Sequence, residues 1–282
     1  MFVILGASGN VGSEVVKALE AAGQPVLAVV HSADKGAALR SELVEAVVAD
    51  LRDSAALRAV FKRGKRAFLL NPPGNPMGDS NAEELATGKS ITDALEGSGL
   101  EKIVVASTYG AQQGEAIGDL STLFDFEQHV KASGIPAAIN RGAYYFSNLA
   151  MLVEPANEGV LPTGFPEDFV LPMVAASDLG AAAAERLQSG VEDVGIAYVE
   201  GPERYSFGDV ARSFSRALGR EVKVVTTPRE GLAGSYREIG FSEASAASFA
   251  RMTEATLDGP ELPERPWRGK VGLDGYVEGL VG

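Results

Sequence analysis

Three glycines, Gly6, Gly9 and Gly12, carry the clearest chemistry in this chain. They follow the apolar run Met1-Phe2-Val3-Ile4-Leu5 and sit in the stretch Gly6-Ala7-Ser8-Gly9-Asn10-Val11-Gly12. Gly6 allows a sharp turn out of a strand, and Gly9 lets backbone approach a diphosphate with no Cβ in the way. Gly12 lets the next helix pack closely on the strand. That helix aims its first N–H groups and its positive dipole end at the phosphates. Gly6, Ser8, Gly9, Asn10, Val11 and Gly12 are therefore candidate cofactor-binding residues. A glycine triplet alone is a weak signal, and a turn that binds nothing is the alternative. The context argues against that alternative: an amphipathic run from Ser13 to Glu20, a stop at Gly23 and an apolar strand Pro25–Val30 complete a βαβ unit.

Further candidates fall at the ends of the later strands. An acidic residue commonly ends strand 2 where NAD is bound. Here His31 and Ser32 stand there, with Lys35 one turn on. Positive charge and donors at that place suit a 2′-phosphate, which favours NADP (as NADPH) over NAD. Two alternatives stay open: His31 as a neutral ring beside the adenine, and Asp34 turned toward a ribose hydroxyl. Asp50 and Leu51 end strand 3 on the adenine side, where Asp50 is equally a surface turn residue. Asn71-Pro72-Pro73 ends strand 4 and is expected to run beneath the nicotinamide. The prolines fix the loop, and the amide can bond the cofactor. Ser107, after strand 5, is expected to bond a carboxamide or to cap its strand. Tyr109 and Tyr144 are the candidate catalytic residues, as proton donors. Together with Tyr145 and Phe146 they either wall a site for a flat ring or pack between lobes.

These residues need a scaffold that brings strand ends together. Apolar strands are predicted at 25–30, 44–49, 67–70, 103–106 and 137–140, separated by helices to Leu39 and at 54–61, 81–96 and 123–132. This alternation predicts an α/β fold with a doubly wound parallel sheet covered on both faces. Residues 1–142 read as the nucleotide-binding domain. Residues 143–282 read as a smaller C-terminal substrate lobe interleaved with late sheet strands. There a short helix is expected over 144–152, a loop rich in Gly and Pro over 159–172, and a helix capped by Ser177-Asp178. A strand at 196–199, a helix from Phe207 to Gly219 and a strand at 222–225 follow, and the rest reads as helical with a proline-rich stretch near Trp267.

Composition removes whole classes of chemistry. With no cysteine and only two histidines, His31 and His129, thiolate metal sites and a histidine cluster are excluded, and no metal is expected. A net charge of −13 argues against nucleic-acid binding. No segment is apolar enough for a membrane span, and no basic region precedes the first strand, so a cytoplasmic protein without a signal peptide is expected. A homodimer or a protein partner is compatible with the chain.

The stretches ILGASGNVG, VVADLRD, VVASTYGA, HVKASGIPAAINRGAYYFSNL, SDLGAAAAERL and EGPERYSFGDVARSFSRALGREV resemble the NmrA-like branch of atypical short-chain dehydrogenases. The likeness covers most of the chain to about Val225. Its most specific part is Arg141-Gly142-Ala143-Tyr144-Tyr145-Phe146-Ser147-Asn148-Leu149. It implies an extended Rossmann fold and an NADPH-dependent, quinone-oxidoreductase-like reductase. A regulator that binds the nucleotide without turnover is the other implied role. The Tyr-x-x-x-Lys pair of ordinary short-chain dehydrogenases is missing: Tyr109 is followed four residues on by Gln113, Tyr144 by Asn148 and Tyr145 by Leu149. Relatives of the isoflavone-reductase kind carry a lysine where this chain has Leu123. Reduction of a quinone or similar planar acceptor, already electrophilic, asks less of the protein than reduction of a simple ketone.

Overall fold

The computed structural model describes residues 1–259 and 262–282. Pro260 and Glu261, part of the proline-rich stretch before Trp267, lie outside the described residues. The first half alternates strand and helix. Its elements are β1 (Phe2–Ile4), α1 (Asn10–Ala21), β2 (Val26–Val30), α2 (Ala33–Ala37), β3 (Val44–Val48), α3 (Ser54–Phe61) and β4 (Arg66–Leu69). They continue with α4 (Ser80–Asp93), β5 (Lys102–Thr108), α5 (Asp119–Ala132) and β6 (Ala137–Gly142). The second half holds β7 (Tyr144–Tyr145), a 3-10 helix over Phe146–Leu152, α6 (Val153–Asn157), β8 (Val160–Thr163), β9 (Val170–Val174) and α7 (Ala176–Gln188). After these come β10 (Gly195–Glu200), β11 (Arg204–Ser206), α8 (Phe207–Leu218), β12 (Lys223–Thr226), α9 (Leu232–Glu238), α10 (Glu243–Asp258), β13 (Trp267–Arg268) and α11 (Leu273–Val281).

Eight strands form one parallel sheet in the order β13-β10-β6-β5-β4-β1-β2-β3. The order reverses between β1 and β4, which in an open α/β sheet is the place where ligands bind, outside the strand C-termini. All five residues of β2 are buried, because helices cover both faces of the sheet. On one face α1 and α7 pack Val15, Val16, Leu19, Leu179 and Leu187 against the strands. The two helices approach closely because a Cβ on Gly180 would lie 2.5 Å from that of Glu14. On the other face α3, α4 and α5 bury Leu57, Phe61, Ile91, Phe126 and Val130. A third core, with Phe146, Phe207, Val210, Phe214 and Val277, builds the smaller lobe. The chain returns to the main sheet through β10 and β13, so the lobe is tied to the sheet edge.

Helix ends follow local chemistry where the signal is local. Ser206 and Asp209 form a reciprocal capping box at the start of α8, and Gly219 closes it at φ +64°. Where tertiary contacts decide, the structure corrects the sequence reading. Tyr144 and Tyr145 are not helical: β7 pairs with β9, so tertiary pairing wins over local propensity. The stretch 159–172 is not all loop, because β8 pairs with β12 and β9 with β11. Asp178 does not cap α7. The N-cap is Ala175, and Asp178 instead accepts from the N–H groups of Lys270 and Val271, fastening the C-terminal segment. The end of the chain is not all helical beyond its proline-rich stretch, because Trp267 joins the sheet in β13. Helix α5 starts at Asp119, four residues before the expected Leu123, because Gly118 turns the chain at φ +56°.

Candidate active site

The glycine loop follows β1, at this reversal of strand order. Gly6 adopts φ +63°, and the Gly9 N–H closes the turn onto the Gly6 carbonyl at 2.9 Å. A Cβ on Gly12 would stand 2.2 Å from the Gly6 oxygen, so α1 could not approach with any other residue there. On Gly9 a Cβ would meet only that same oxygen, at 3.3 Å, and the residue is otherwise exposed. The first bond into α1 runs from Ser13 N–H to Gly9 O. The N–H groups of Asn10, Val11 and Gly12 therefore have no partner in the helix. No side chain caps this end and its first turn has no acidic residue. Unpaired donors at a positive helix end make a cradle for a diphosphate.

The neighbouring strand ends surround that cradle. His31 and Lys35 are exposed and Ser32 half-buried, and among the described residues none of the three is engaged by a carboxylate. Asp50 accepts from the Arg52 N–H at 2.9 Å, which stiffens the turn after β3, and Leu51 packs against the core. After β4, Leu70 touches the Gly6 turn, which sets Asn71 beside the loop. The Asn71 amide donates to the Glu84 carbonyl at 3.0 Å, while its Oδ1 is buried with no partner among the described residues. An unsatisfied buried oxygen costs about 1–3 kcal/mol and calls for a donor. The loop Pro72–Gly74 is fixed by Glu84, which accepts from the Gly74 N–H at 2.9 Å.

Two expected roles are corrected here. Ser107 does not present its hydroxyl to the crevice. It is buried and donates to Glu127 Oε1 at 2.6 Å, and Glu127 also receives Nε and Nη2 of Arg141, both at 2.9 Å. Nor is Tyr109 an available proton donor. Its hydroxyl donates to Glu200 Oε1 at 2.8 Å, and the buried Glu200 carboxylate also holds the half-buried Arg204 and the exposed Arg268. Burial and the Glu200 charge push its pKa far above the ordinary tyrosine value. These partners lie 20 and 91 residues away in sequence, and no local signal announces them.

Tyr144 lies in an aromatic wall of the smaller lobe. Its ring meets Phe165 and Phe207 edge-on, at centroid distances of 6.4 and 5.9 Å, and Phe207 stacks on Phe165 at 5.2 Å. Burial raises its hydroxyl to about 12, despite a hydrogen bond with Asn148. Tyr145 is raised to about 12 by burial and the charge of Asp119. Helix α10 roofs this region. Ser245 Oγ donates to the Gly78 carbonyl at 2.9 Å, Gly118 N–H donates to Ser248 Oγ at 3.0 Å, and Arg251 Nε donates to the Ala116 carbonyl at 2.9 Å. One helix thus pins the loops that follow β4 and β5. Glu84, Asp119, Glu200 and this serine face escaped the sequence reading.

The NmrA-like family model matches residues 1–258. The chain belongs to this family. A curated relative, the NAD(P)H azoreductase of Xenophilus azovorans, is 24% identical over 259 residues, covering 89% of this chain and 86% of that protein. Among solved structures, the NADPH-dependent quinone oxidoreductase of Escherichia coli, complexed with NADPH, superposes with a TM-score of 0.85 at 20% identity over 100% of both chains. The negative transcriptional regulator NmrA superposes with a TM-score of 0.70 at 19% identity, over 98% of this chain and 94% of that one.

Proposed function

We propose that this chain is an NADPH-dependent reductase of planar conjugated acceptors, of the quinone or azo class. The observation that carries this reading is the open cradle of Gly9 and the unpartnered N–H groups of α1, with the orphaned Asn71 Oδ1 just after the neighbouring strand β4. These groups fit a dinucleotide. The cradle takes the diphosphate, His31, Ser32 and Lys35 face the 2′-phosphate, and Asn71 Oδ1 accepts from a carboxamide or ribose donor. When bound, the reduced nicotinamide supplies a hydride. The protein's part is to hold that ring over the strand ends, to exclude water beneath α10 and to seat a flat acceptor near Tyr144.

The names of the relatives support a planar acceptor: one is an azoreductase and one a quinone oxidoreductase. The missing Tyr-x-x-x-Lys pair supports an acceptor that is electrophilic without help. The likeness to a transcriptional regulator favours a second reading, a nucleotide sensor without turnover. Purified protein mixed with NADPH and a panel of quinones, azo dyes and simple ketones decides between the two. The reductase reading expects loss of the dihydronicotinamide absorbance with quinones or azo dyes and none with ketones. Tight NADPH binding with no oxidation by any acceptor would overturn it in favour of the sensor.

A further inference from the structure

Glu84 lies in the second turn of α4 and is only 4% exposed, yet it forms no ion pair with a cation among the described residues. Neutral donors hold it. Its Oε1 accepts from the Gly74 N–H at 2.9 Å, and its Oε2 accepts from the Thr122 hydroxyl of α5 at 2.7 Å. Its main-chain carbonyl accepts from Asn71 Nδ2 at 3.0 Å. One residue thus takes hold of the loop after β4 at both Asn71 and Gly74, from a helix that its own side chain locks to α5. A buried carboxylate without a cation is costly. Holding this loop is what the side chain does in return.

Two glycines let the grip close. A Cβ on Gly88, one turn along α4, would lie 3.2 Å from Asn71 Nδ2 and 3.4 Å from the Phe126 ring. The Asn71 amide therefore reaches full approach to the helix only with glycine there. A Cβ on Gly74 would stand 2.4 Å from the Ser80 carbonyl oxygen, so the loop folds back onto the start of α4 only with glycine at that place.

The grip decides what Asn71 can read. The Glu84 carbonyl only accepts, so the Nδ2 side of the amide must face it and the amide cannot turn over. Oδ1 is left buried and without a partner among the described residues, and it wants a donor. A dihydronicotinamide carries a group of matching kind, the NH2 of its carboxamide.

We propose that Glu84 is the positioning residue for the nicotinamide end of the dinucleotide. It fixes Asn71 as an acceptor for the carboxamide NH2, and so sets the orientation of the ring over the strand ends. This rests on the reading above that the site takes NADPH.

Calorimetric titration with NADPH and with 2′-phospho-ADP-ribose separates this end of the site from the cradle. The second compound keeps the diphosphate and the 2′-phosphate but lacks the nicotinamide. Glu84→Leu removes both side-chain acceptors. It should weaken NADPH by about tenfold, the worth of one hydrogen bond, and hold the fragment within about twofold. Gly88→Ala leaves Glu84 intact and presses on the Asn71 amide. It should weaken NADPH by about threefold and again spare the fragment, and it carries the test if Glu84→Leu does not fold. Glu84→Gln should keep the parent's values, because its Oε1 still accepts from Gly74 and its Nε2 donates to the Thr122 oxygen. The carboxamide is tested with the reduced 3-acetylpyridine analogue of NADPH, in which a methyl group replaces the NH2. The parent should bind it about tenfold more weakly than NADPH, and Gly88→Ala should narrow that gap. Equal losses of NADPH and fragment in Gly88→Ala, or a parent that binds the two dinucleotides alike, would overturn the assignment and leave the diphosphate cradle standing. A parent that binds neither NADPH nor the fragment would overturn the nucleotide site and the assignment with it. The titrations need no turnover, so failure to reduce any acceptor would overturn the reductase reading without touching this one.

Discussion

Gly9 and Gly12 stand three residues apart in one loop, and the structure gives them opposite sensitivities. At Gly9 the backbone is extended, at φ −90° and ψ 176°, a conformation that valine favours. An added Cβ meets one atom at 3.3 Å, so Gly9→Val should fold with little loss. Its branched side chain would instead fill the space in front of the free N–H groups. Hydrogen bonds to a charged group contribute about 1.5–3 kcal/mol each, so losing two should cost roughly 3–6 kcal/mol of binding. That is a weakening of about 10²- to 10⁴-fold in the NADPH Kd. Gly12→Ala is the reverse case. Its Cβ would sit 2.2 Å from the Gly6 oxygen and 2.6 Å from the Gly6 carbon, both backbone atoms. Relief requires α1 to move off the strand, an overpacking cost of about 1–3 kcal/mol. In a chain of this size that lowers Tm by roughly 2–4 °C per kcal/mol. Calorimetric titration with NADPH and thermal melts of both variants provide the assay. Gly9→Val with parental affinity would refute the diphosphate cradle. Gly9→Val melting as early as Gly12→Ala would refute the reading of Gly9 as a recognition rather than a packing residue.

Lys35→Glu should weaken NADPH by about three- to fivefold, the usual worth of an exposed charge, and leave NADH within twofold. Equal losses for both nucleotides would remove Lys35 from the 2′-phosphate site. Tyr109→Phe should retain quinone turnover and lose about 1 kcal/mol of stability in a urea melt, because its hydroxyl serves Glu200; a collapse of kcat without loss of stability would return Tyr109 to catalysis. Arg141→Met should destabilise the fold by about 3–5 kcal/mol, since it strips the guanidinium from the fully buried Glu127. A variant as stable as the parent would show that Lys131, 3.7 Å from Glu127, carries the compensation.

The parts of this site that could be read from sequence are those whose reasons are local. Gly6, Gly9 and Gly12 act through their own backbone and their immediate neighbours, so their spacing, read with the βαβ pattern around it, marks them as candidates. Strand ends are equally local, which is why His31, Lys35 and Asn71 fall where the alternation of elements puts them. What could not be read are the partners. The hydroxyls of Ser107 and Tyr109 look available in sequence because nothing near them takes a proton. Glu127 and Glu200 arrive through α5 and β10 and claim both.

These displacements bear on how a member of this family without Tyr-x-x-x-Lys can protonate anything. A cation beside a tyrosine lowers its pKa and readies its proton for transfer. Here the position one turn before Glu127 holds Leu123, which packs against the core. With no such cation, burial dominates, aided at Tyr145 by the charge of Asp119, and Tyr144 and Tyr145 rise to about 12 rather than fall. A phenol held this high keeps its proton at neutral pH, so Tyr144 and Tyr145 are poor acids here, and an acceptor that needs no strong proton donor fits the proposed reduction best.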